Sequence, residues 1–229
     1  MSDFSRHAKL VGEAGIRRLA DARVAVFGIG GVGGYVAEAL ARASVGSIVL
    51  IDSDDVEQSN VNRQLVALED TIGRPKVDVM GERIAQINPD CNVVTEKIFV
   101  NADNVDKLLN GVTYAVDAVD NVTAKLAIIA TSQSKGIRAI SAMGAGNKLS
   151  GTFAVMDVFE TSGDPLAKVM RRELKRRGIK KQKVVCTNEL ALCDVEKGEA
   201  MPSISYMPGL CGLTIAGEVI RDIIGSEDD

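Results

Sequence analysis

A glycine-rich loop between an apolar run and a helix-forming segment constrains the fold of this chain more than any other feature. The run Arg23–Phe27 has the length of a buried strand, and Gly28-Ile-Gly30-Gly31-Val-Gly33 follows it directly. The alanine-rich segment 32–43 then has the character of a helix. Glycines at such a turn let a phosphate approach the backbone, and the helix amino terminus supplies N–H donors. The loop therefore predicts a nucleotide-binding unit.

Further apolar runs alternate with helix-like segments along most of the chain. The expected strands lie at 47–52, 93–99, 113–119 and 137–143, and the expected helices at 75–88, 103–109 and 122–135. Strands that alternate with helices favour βαβ units and a parallel sheet. The predicted fold class is therefore α/β, a doubly wound, mostly parallel sheet of Rossmann-like type.

The pattern changes after Gly151, where a strand at 152–158 has no glycine-rich loop behind it. A charged helix is expected from Asp164 to Arg177, and an apolar helix from Pro208 to Ile224. We expect one domain with a C-terminal antiparallel extension and helices. Its parts are an N-terminal region 1–22 with an amphipathic helix at 5–20, a nucleotide-binding core in 23–150, and in 151–229 an extension that faces the substrate and tRNA, with a packing helix. The apolar face of the first helix is expected to carry Leu10, Ile16 and Leu19.

The acidic residue Asp52 stands 24 residues after Gly28, at the end of the second expected strand. A carboxylate in that position hydrogen-bonds ribose hydroxyls in nucleotide-binding folds. Dinucleotide-dependent redox enzymes carry the same two features, so they predict a nucleotide without identifying which one.

The polar stretch from Asp52 to Gln64 is more specific, because it contains Arg63, and Lys76 follows it. A nicotinamide cofactor has no need of these cations. A triphosphate attacked at its α-phosphate does, since departing pyrophosphate develops negative charge that fixed cations stabilise. The alternative is a polar loop with a surface arginine.

A third element, Asp117-Ala-Val-Asp120-Asn121, follows the fourth expected strand. Ligands of open α/β sheets lie beyond the carboxyl ends of the strands, so a carboxylate here can hold Mg²⁺ against phosphates. The alternative is that Asp120 or Asn121 caps the next helix.

These motifs, with Gly73-x-Pro75-Lys76, resemble the ThiF/MoeB/HesA family of adenylating enzymes in order and spacing. The resemblance implies that ATP and Mg²⁺ are bound, with Arg63, Lys76 and Asp120 catalytic and Asp120 positioning the metal. It implies further ATP contacts from the glycine loop and from Asp52, Asp54, Ser59, Asn60 and Asn121. Arg6 matches a family arginine that reaches the partner subunit's active site, which implies a homodimer; a surface arginine is the alternative.

Within this family, the chain resembles the branch of tRNA threonylcarbamoyladenosine dehydratases. It has no C-x-x-C pairs for a structural zinc and no room for a separate thioester domain. The motifs that resemble the branch are Ser141-x-x-Gly144-x-Gly146, Asp164-Pro165-Leu166 followed by a basic helix at 171–179, and Ser205-x-x-Pro208-x-x-x-Gly212. The resemblance implies adenylation of the threonyl carboxylate on a modified tRNA adenosine, followed by ring closure and release of AMP.

A basic stripe runs from Lys168 to Lys183, with nine Lys or Arg residues and one acid in a chain of net charge -4. Such a stripe on an acidic body favours a polyanionic partner, here tRNA. The alternative is a solvated helix face. The residues expected to bind tRNA are Arg171, Arg172, Lys175, Arg176, Arg177, Lys180 and Lys181.

The four cysteines favour a reduced, cytoplasmic protein rather than a disulfide scaffold. Cys211 is expected in the core and Cys91 at the surface or an edge, whereas Cys186 or Cys193 could accept sulfur from a partner such as a cysteine desulfurase. No apolar run approaches the length of a membrane span, so no membrane association is expected. Three rival functions remain: activation of a ubiquitin-like sulfur carrier, a non-catalytic nucleotide-binding adaptor, and a redox Rossmann protein.

Overall fold

The computed structural model of the chain describes residues 4–196 and 198–225. Its strands are β1 (Arg23–Phe27), β2 (Ser47–Ile51), β3 (Asn92–Glu96), β4 (Tyr114–Asp117), β5 (Arg138–Ala142), β6 (Ala154–Asp157) and β7 (Lys183–Cys186). They form one sheet in the order β3-β2-β1-β4-β5-β7-β6. Neighbouring strands are parallel except for β6 and β7, which pair antiparallel at one edge. The predicted α/β fold class, with its antiparallel extension, is confirmed.

Helices connect the strands on both faces of the sheet. In the described part of the chain they are α1 (Ser5–Asp21), α2 (Gly33–Arg42), α3 (Lys76–Ile87), α4 (Val105–Leu108), α5 (Val122–Ser134), α6 (Pro165–Arg176) and α7 (Tyr206–Ile224). The helix expected at 103–109 is reduced to the single turn of α4. Among the described residues, no helix combines the length and the apolar character that a membrane crossing requires.

The central strand β1 is buried on both faces, as parallel strands covered by helices are. Val24 and Val26 belong to a core cluster with residues of α2, α3 and α7. Ala25 and Phe27 point the other way, into a second cluster with residues of α4 and α5. A third cluster joins α5 and α6 to β7. This alternation explains why the sequence of β1 is apolar throughout.

The expected apolar face of α1 is wrong at Leu10, which is 85% exposed. Gly12 interrupts the helix with non-helical angles, φ 74° and ψ 167°. The kink changes the helix direction, so residues before it do not continue the face that buries Gly15 and Leu19. The periodicity of an apolar face holds only along a continuous helix, and Leu10 lies on the other side of the interruption.

The chain order of the strands reverses between β1 and β4, which is where ligands bind in doubly wound sheets. The loops that follow β1, β2, β4 and β5 all end at this carboxyl edge. The long loop after β2 is held closed by a bridge between Asp55 and Pro75. The fold thus brings the glycine loop, the 52–64 stretch and the 117–121 stretch to one place.

Candidate active site

A cavity of about 760 Å³ opens at this carboxyl edge. It brings together most of the residues that the sequence assigned to ATP and catalysis. Those that line it are Gly28, Gly30, Gly31, Asp52, Asp54, Asn60, Arg63, Lys76, Asp120 and Asn121. Ser59, Gly33 and Arg6 are not among the lining residues.

The glycine loop contributes backbone rather than side chains to the cavity. Gly28 has φ 86°, and a Cβ there would lie 2.7 Å from the carbonyl oxygen of Ala118. A Cβ at Gly33 would overlap the carbonyl oxygen of Gly28. Gly33 is therefore required for the tight turn, and it lies behind the residues that face the cavity.

Asp52 is fixed beneath the glycine loop by two backbone hydrogen bonds. Its carboxylate accepts from the N–H of Ile29 at 2.6 Å and from the N–H of Asp54 at 2.9 Å. Burial raises the pKa of Asp52, although these hydrogen bonds and the charge of Lys76 act in the opposite direction. The carboxylate is thus held rigidly where a ribose hydroxyl can donate to it.

Lys76, at the start of α3, is buried and directed into the cavity. Its Nζ lies 2.9 Å from Oδ2 of Asp54. Burial alone would raise the pKa of Asp54, but the hydrogen bond and charge of Lys76 lower it overall. Asp54 therefore acts on the site by holding Lys76.

Arg63 lies across the glycine loop, with its Cγ 3.3 Å from where a Cβ of Gly31 would be. Its guanidinium donates to the carbonyl of Ser59 at 3.0 Å and to Oδ1 of Asn62 at 2.8 Å. These bonds fix the planar fork next to the loop while leaving further N–H donors. The side chain of Ser59 itself is exposed and donates to Glu57 at 3.1 Å, which removes it from the cavity wall.

Asn60 is buried and is the last residue of a 3-10 turn at Gln58–Asn60. Its Oδ1 accepts from the N–H of Glu57 at 3.1 Å. The side chain thereby fixes the loop that carries Arg63, in addition to lining the cavity.

Three polar residues in the 117–121 stretch have different structural roles. Asn121 caps α5 by accepting from the N–H of Ala124 at 3.0 Å. Asp117 is fully buried and paired at 3.1 Å with Lys125, which is also fully buried. Asp120 is exposed at the cavity mouth. Only Asp120 of the two aspartates can therefore face a ligand.

A magnesium ion fits the donors at this site only together with phosphates. Among residues 4–196 and 198–225, no cluster of three or more His, Cys, Asp or Glu could hold a metal. Mg²⁺ is commonly bound by one or two carboxylates and the phosphates of its nucleotide. The single carboxylate of Asp120 matches that requirement.

The half of the cavity away from the glycine loop contains two charged residues that sequence reasoning missed as site residues. Lys148, in the loop after β5, is 5% exposed, and Asp164 is 3% exposed. Both line the cavity. Asp164 also caps α6 by accepting from the N–H of Ala167 at 2.7 Å. The only signal for Lys148 in the sequence is its position just after a glycine-rich stretch.

The basic helix α6 is amphipathic, with Ala167, Met170 and Leu174 buried. Arg171 is partly buried and donates to Thr161 at 2.8 Å, so it faces away from the expected tRNA surface. The other expected tRNA contacts, Arg172, Lys175, Arg176, Arg177, Lys180 and Lys181, are exposed.

Acidic side chains at two places, one on α6 and two on α7, reduce the positive charge of the stripe. Glu173 lies 3.0 Å from Arg177 and 3.1 Å from Arg172, and these hydrogen bonds lower its pKa. Lys183, at the end of the stripe, is paired with Glu218 and Asp222 of α7. The exposed part of the stripe therefore carries seven cations, Lys168 and the six exposed residues expected to bind tRNA, around one carboxylate.

The cysteines divide into three buried residues and one exposed residue. Cys211 is in the core as expected, and burial raises its pKa to about 12. Cys91 is also buried, which contradicts a surface position but not an edge position: it directly precedes β3, the strand at one edge of the sheet, and packs with the cluster around β1 and α3. Burial raises the pKa of Cys186 to about 11, which leaves it a poor nucleophile.

Comparison with known proteins identifies the family. The ThiF family matches residues 4–229. A tRNA threonylcarbamoyladenosine dehydratase of Bacillus subtilis is 38% identical, over 98% of this chain and 95% of that protein. One of Escherichia coli is 45% identical, over 75% of this chain and 65% of that protein.

Solved structures agree with the sequence relatives. The E. coli enzyme TcdA in complex with ATP has a TM-score of 0.90 and 37% identity, over 97% of this chain and 93% of that chain. The same enzyme in complex with AMP has a TM-score of 0.91. This protein therefore belongs to the ThiF family and, within it, to the tRNA threonylcarbamoyladenosine dehydratases.

Proposed function

We propose that this chain uses ATP to adenylate the threonyl carboxylate of threonylcarbamoyladenosine in a tRNA and then closes it to the cyclic form. The observation that carries the proposal is the cavity in which Arg63 and Lys76 stand beside the glycine loop. Two fixed cations at a phosphate loop suit displacement of pyrophosphate, and a hydride transfer has no use for them. The names of the relatives support the substrate.

In the first step, a carboxylate oxygen of the substrate attacks the α-phosphorus of ATP, and the bond to pyrophosphate breaks. Asp52 binds the ribose, which fixes the α-phosphate relative to the glycine loop. Arg63 and Lys76 stabilise the charge that accumulates on the departing phosphates. The products are an acyl-adenylate and pyrophosphate.

In the second step, a nitrogen or oxygen of the same modification attacks the activated carbonyl and loses its proton. AMP departs with the former carboxylate oxygen, so the modification has lost the elements of water. The nucleophile belongs to the same side chain, and this proximity removes the need for a covalent enzyme intermediate. Burial of Cys186 and Cys211 agrees with a route that uses no thiol.

Mg²⁺ is the proposed companion of ATP, held by Asp120 and the phosphates. It would supply a Lewis acid that neutralises phosphate charge. Asn121, which lines the same wall, holds α5 in place beneath Asp120. Their positions support these roles.

The proposed tRNA surface is the exposed face of α6 with Lys180 and Lys181. The exposure of the six cations expected to bind tRNA, with Lys168 beside them, supports contact with phosphates. Arg171 is better assigned to the fold, because it is bound to Thr161. A tRNA substrate also supports a cytoplasmic location for the reaction.

We propose a homodimer in which Arg6 reaches the partner's cavity, since in its own chain Arg6 is not among the residues that line the cavity. Exposed apolar side chains on α7, Leu210 and Leu213, support an interface there. A sulfur-transfer partner would need an accessible thiol, and Cys193 is the exposed one of the four. We treat residues 1–229 as a single adenylating domain.

The test is to incubate the pure protein with Mg·ATP and tRNA, digest the tRNA to nucleosides and measure their masses. Threonylcarbamoyladenosine should lose one water, with one AMP and one pyrophosphate formed for each loss. No mass change, together with ATP–pyrophosphate exchange that depends on a carrier protein ending in Gly-Gly, would replace this proposal with sulfur-carrier activation.

A further inference from the structure

The cavity contains two buried charges that neither chemical step above uses. Lys148 and Asp164 are among its lining residues, in the half away from the glycine loop. They come from different elements, Lys148 from the loop after β5 and Asp164 from the residue before α6. These two side chains therefore indicate what kind of group the rest of the cavity can bind beside ATP.

Lys148 has too few partners for a buried cation. Its Nζ donates to the carbonyl oxygen of Glu189. Among the residues that the structure describes, no acidic side chain forms an ion pair with it. An ammonium group has three N–H donors, and burying it against a single neutral acceptor is costly unless an anion completes the site.

Asp164 presents one carboxylate oxygen to the same region. Its Oδ1 is used in capping α6, whereas Oδ2 faces Gly144 so closely that a Cβ there would overlap it. Both charged residues act on the buried thiol of Cys186, whose pKa Asp164 raises and Lys148 lowers. Both charges line the same cavity, and in the described part of the chain no ion pair joins them.

We propose that this half of the cavity is an acceptor subsite in which Lys148 binds the free carboxylate of the substrate. Asp164 accepts a hydrogen bond from an N–H or hydroxyl group next to that carboxylate. The inference rests on the proposed function, which supplies a substrate with one carboxylate and adjacent donors. It makes Lys148 the residue that distinguishes a free carboxylate from an amide or an ester.

The experiment measures binding without turnover, in the absence of ATP. The probes are a tRNA that carries threonylcarbamoyladenosine and the same tRNA after its threonyl carboxyl is converted to the carboxamide. The wild-type protein should bind the carboxylate form about 10-fold or more tightly than the amide, as removal of a charge-assisted hydrogen bond implies. Lys148→Met should bind both equally, and Lys148→Arg should keep most of the preference.

Matched variants separate this role from a structural one. Lys107→Met changes an exposed lysine of α4 that does not line the cavity and should keep the wild-type preference. Asp164→Asn keeps a good helix cap and should weaken the binding of the carboxylate form and of the amide form by the same factor. ATP should protect each folded variant against thermal unfolding as it protects the wild type. If Lys148→Met does not fold, the same two affinities are measured for Lys148→Gln, which should also bind both tRNA forms equally. The preference of the wild-type protein for the carboxylate form tests the inference without any variant.

Two results would overturn the inference: equal binding of both tRNA forms by the wild type, or an undiminished preference in Lys148→Met. Turnover with ATP is measured separately on the wild type. If the wild type forms the cyclic product but binds the carboxylate and amide forms equally, only the acceptor subsite fails. If it forms no cyclic product, the proposed function fails.

Discussion

At the scale of single residues, two cations line the cavity, one in the loop after β2 and one at the start of α3. Arg63 is held by the carbonyl of Ser59 and lies over the glycine loop. Lys76 is buried and held by Asp54. Their partners fix them before any nucleotide arrives, and such preorganisation is what gives electrostatic catalysis its strength.

Arg63→Ala should lower the rate of cyclic product formation by about 10²–10³-fold, the usual cost of one preorganised donor. ATP should still raise the unfolding temperature, since Asp52 and the glycine loop remain. The rate is measured by mass spectrometry of digested tRNA. Arg42→Ala is the matched control, because Arg42 is exposed and paired with Glu38 away from the cavity. An unchanged rate in Arg63→Ala would indicate a different chemistry or a non-catalytic adaptor.

Asp52 should make the stability of the protein depend on pH. Its pKa is raised in the fold, so its protonated form favours folding below the unfolded value of 3.8, and this contribution is lost as pH rises through the folded pKa. The free energy of unfolding of the wild type relative to Asp52→Asn should therefore increase as pH falls from 7 towards 4. Urea unfolding at several pH values measures it. A difference that stays constant with pH would show that Asp52 is not destabilised by burial.

At the scale of elements, the sequence predicted what local pattern determines. Strands β1 to β6 and the glycine loop lie where apolar runs and turn residues indicated. The signal is plainest at β1, β2 and β4, because burial on both faces leaves a continuous apolar signature. Arg63, Lys76 and Asp120 could be picked out because they belong to compact motifs. Lys125 and Lys148 were missed, because a single lysine has the same appearance in the sequence whether it is solvated or buried.

The helix α5 carries one such lysine beneath the loop of Asp120. Lys125→Met should lower the free energy of unfolding by about 3–5 kcal/mol, because it leaves Asp117 charged and unpaired in the core. Adding Asp117→Asn should recover much of that stability, since the uncompensated charge is removed. Chemical denaturation of the single and double variants measures both effects. A double variant no more stable than Lys125→Met would show that packing, not charge, dominates.

The helix α6 makes a prediction about salt. Replacing Arg172, Arg176 and Arg177 together with Ala should weaken tRNA binding and flatten the dependence of affinity on salt by about one unit for each phosphate that the variant no longer neutralises. Arg171→Ala should instead reduce stability, because it breaks the bonds to Thr161. Binding is measured by filter retention across a salt series, with Arg42→Ala as control. If the triple variant binds tRNA with the affinity of the wild type, the stripe is a solvated helix face and not a tRNA-binding surface.

At the scale of the whole molecule, segments that lie far apart in the sequence line one cavity. The nucleotide half draws on the loops after β1, β2 and β4, and the other half on the loop after β5 and the start of α6. The sequence could not predict that these halves form one cavity, since their union depends on strand order. The same reasoning applies to Arg6, whose proposed role depends on how two copies would pair.

Complementation between two inactive variants tests that pairing directly. If each site uses its own Arg63 and the partner's Arg6, then Arg6→Ala and Arg63→Ala homodimers are both impaired. A mixed dimer has one intact site, in the subunit that retains Arg63 and faces an intact Arg6. Free exchange of subunits should therefore restore about a quarter of the wild-type rate. Mixing with Leu213→Glu introduced in both variants should restore nothing, because a charge on the exposed apolar face of α7 prevents pairing. If Arg6 acts within its own chain, the mixture stays as impaired as its components, and light scattering shows whether the dimers formed.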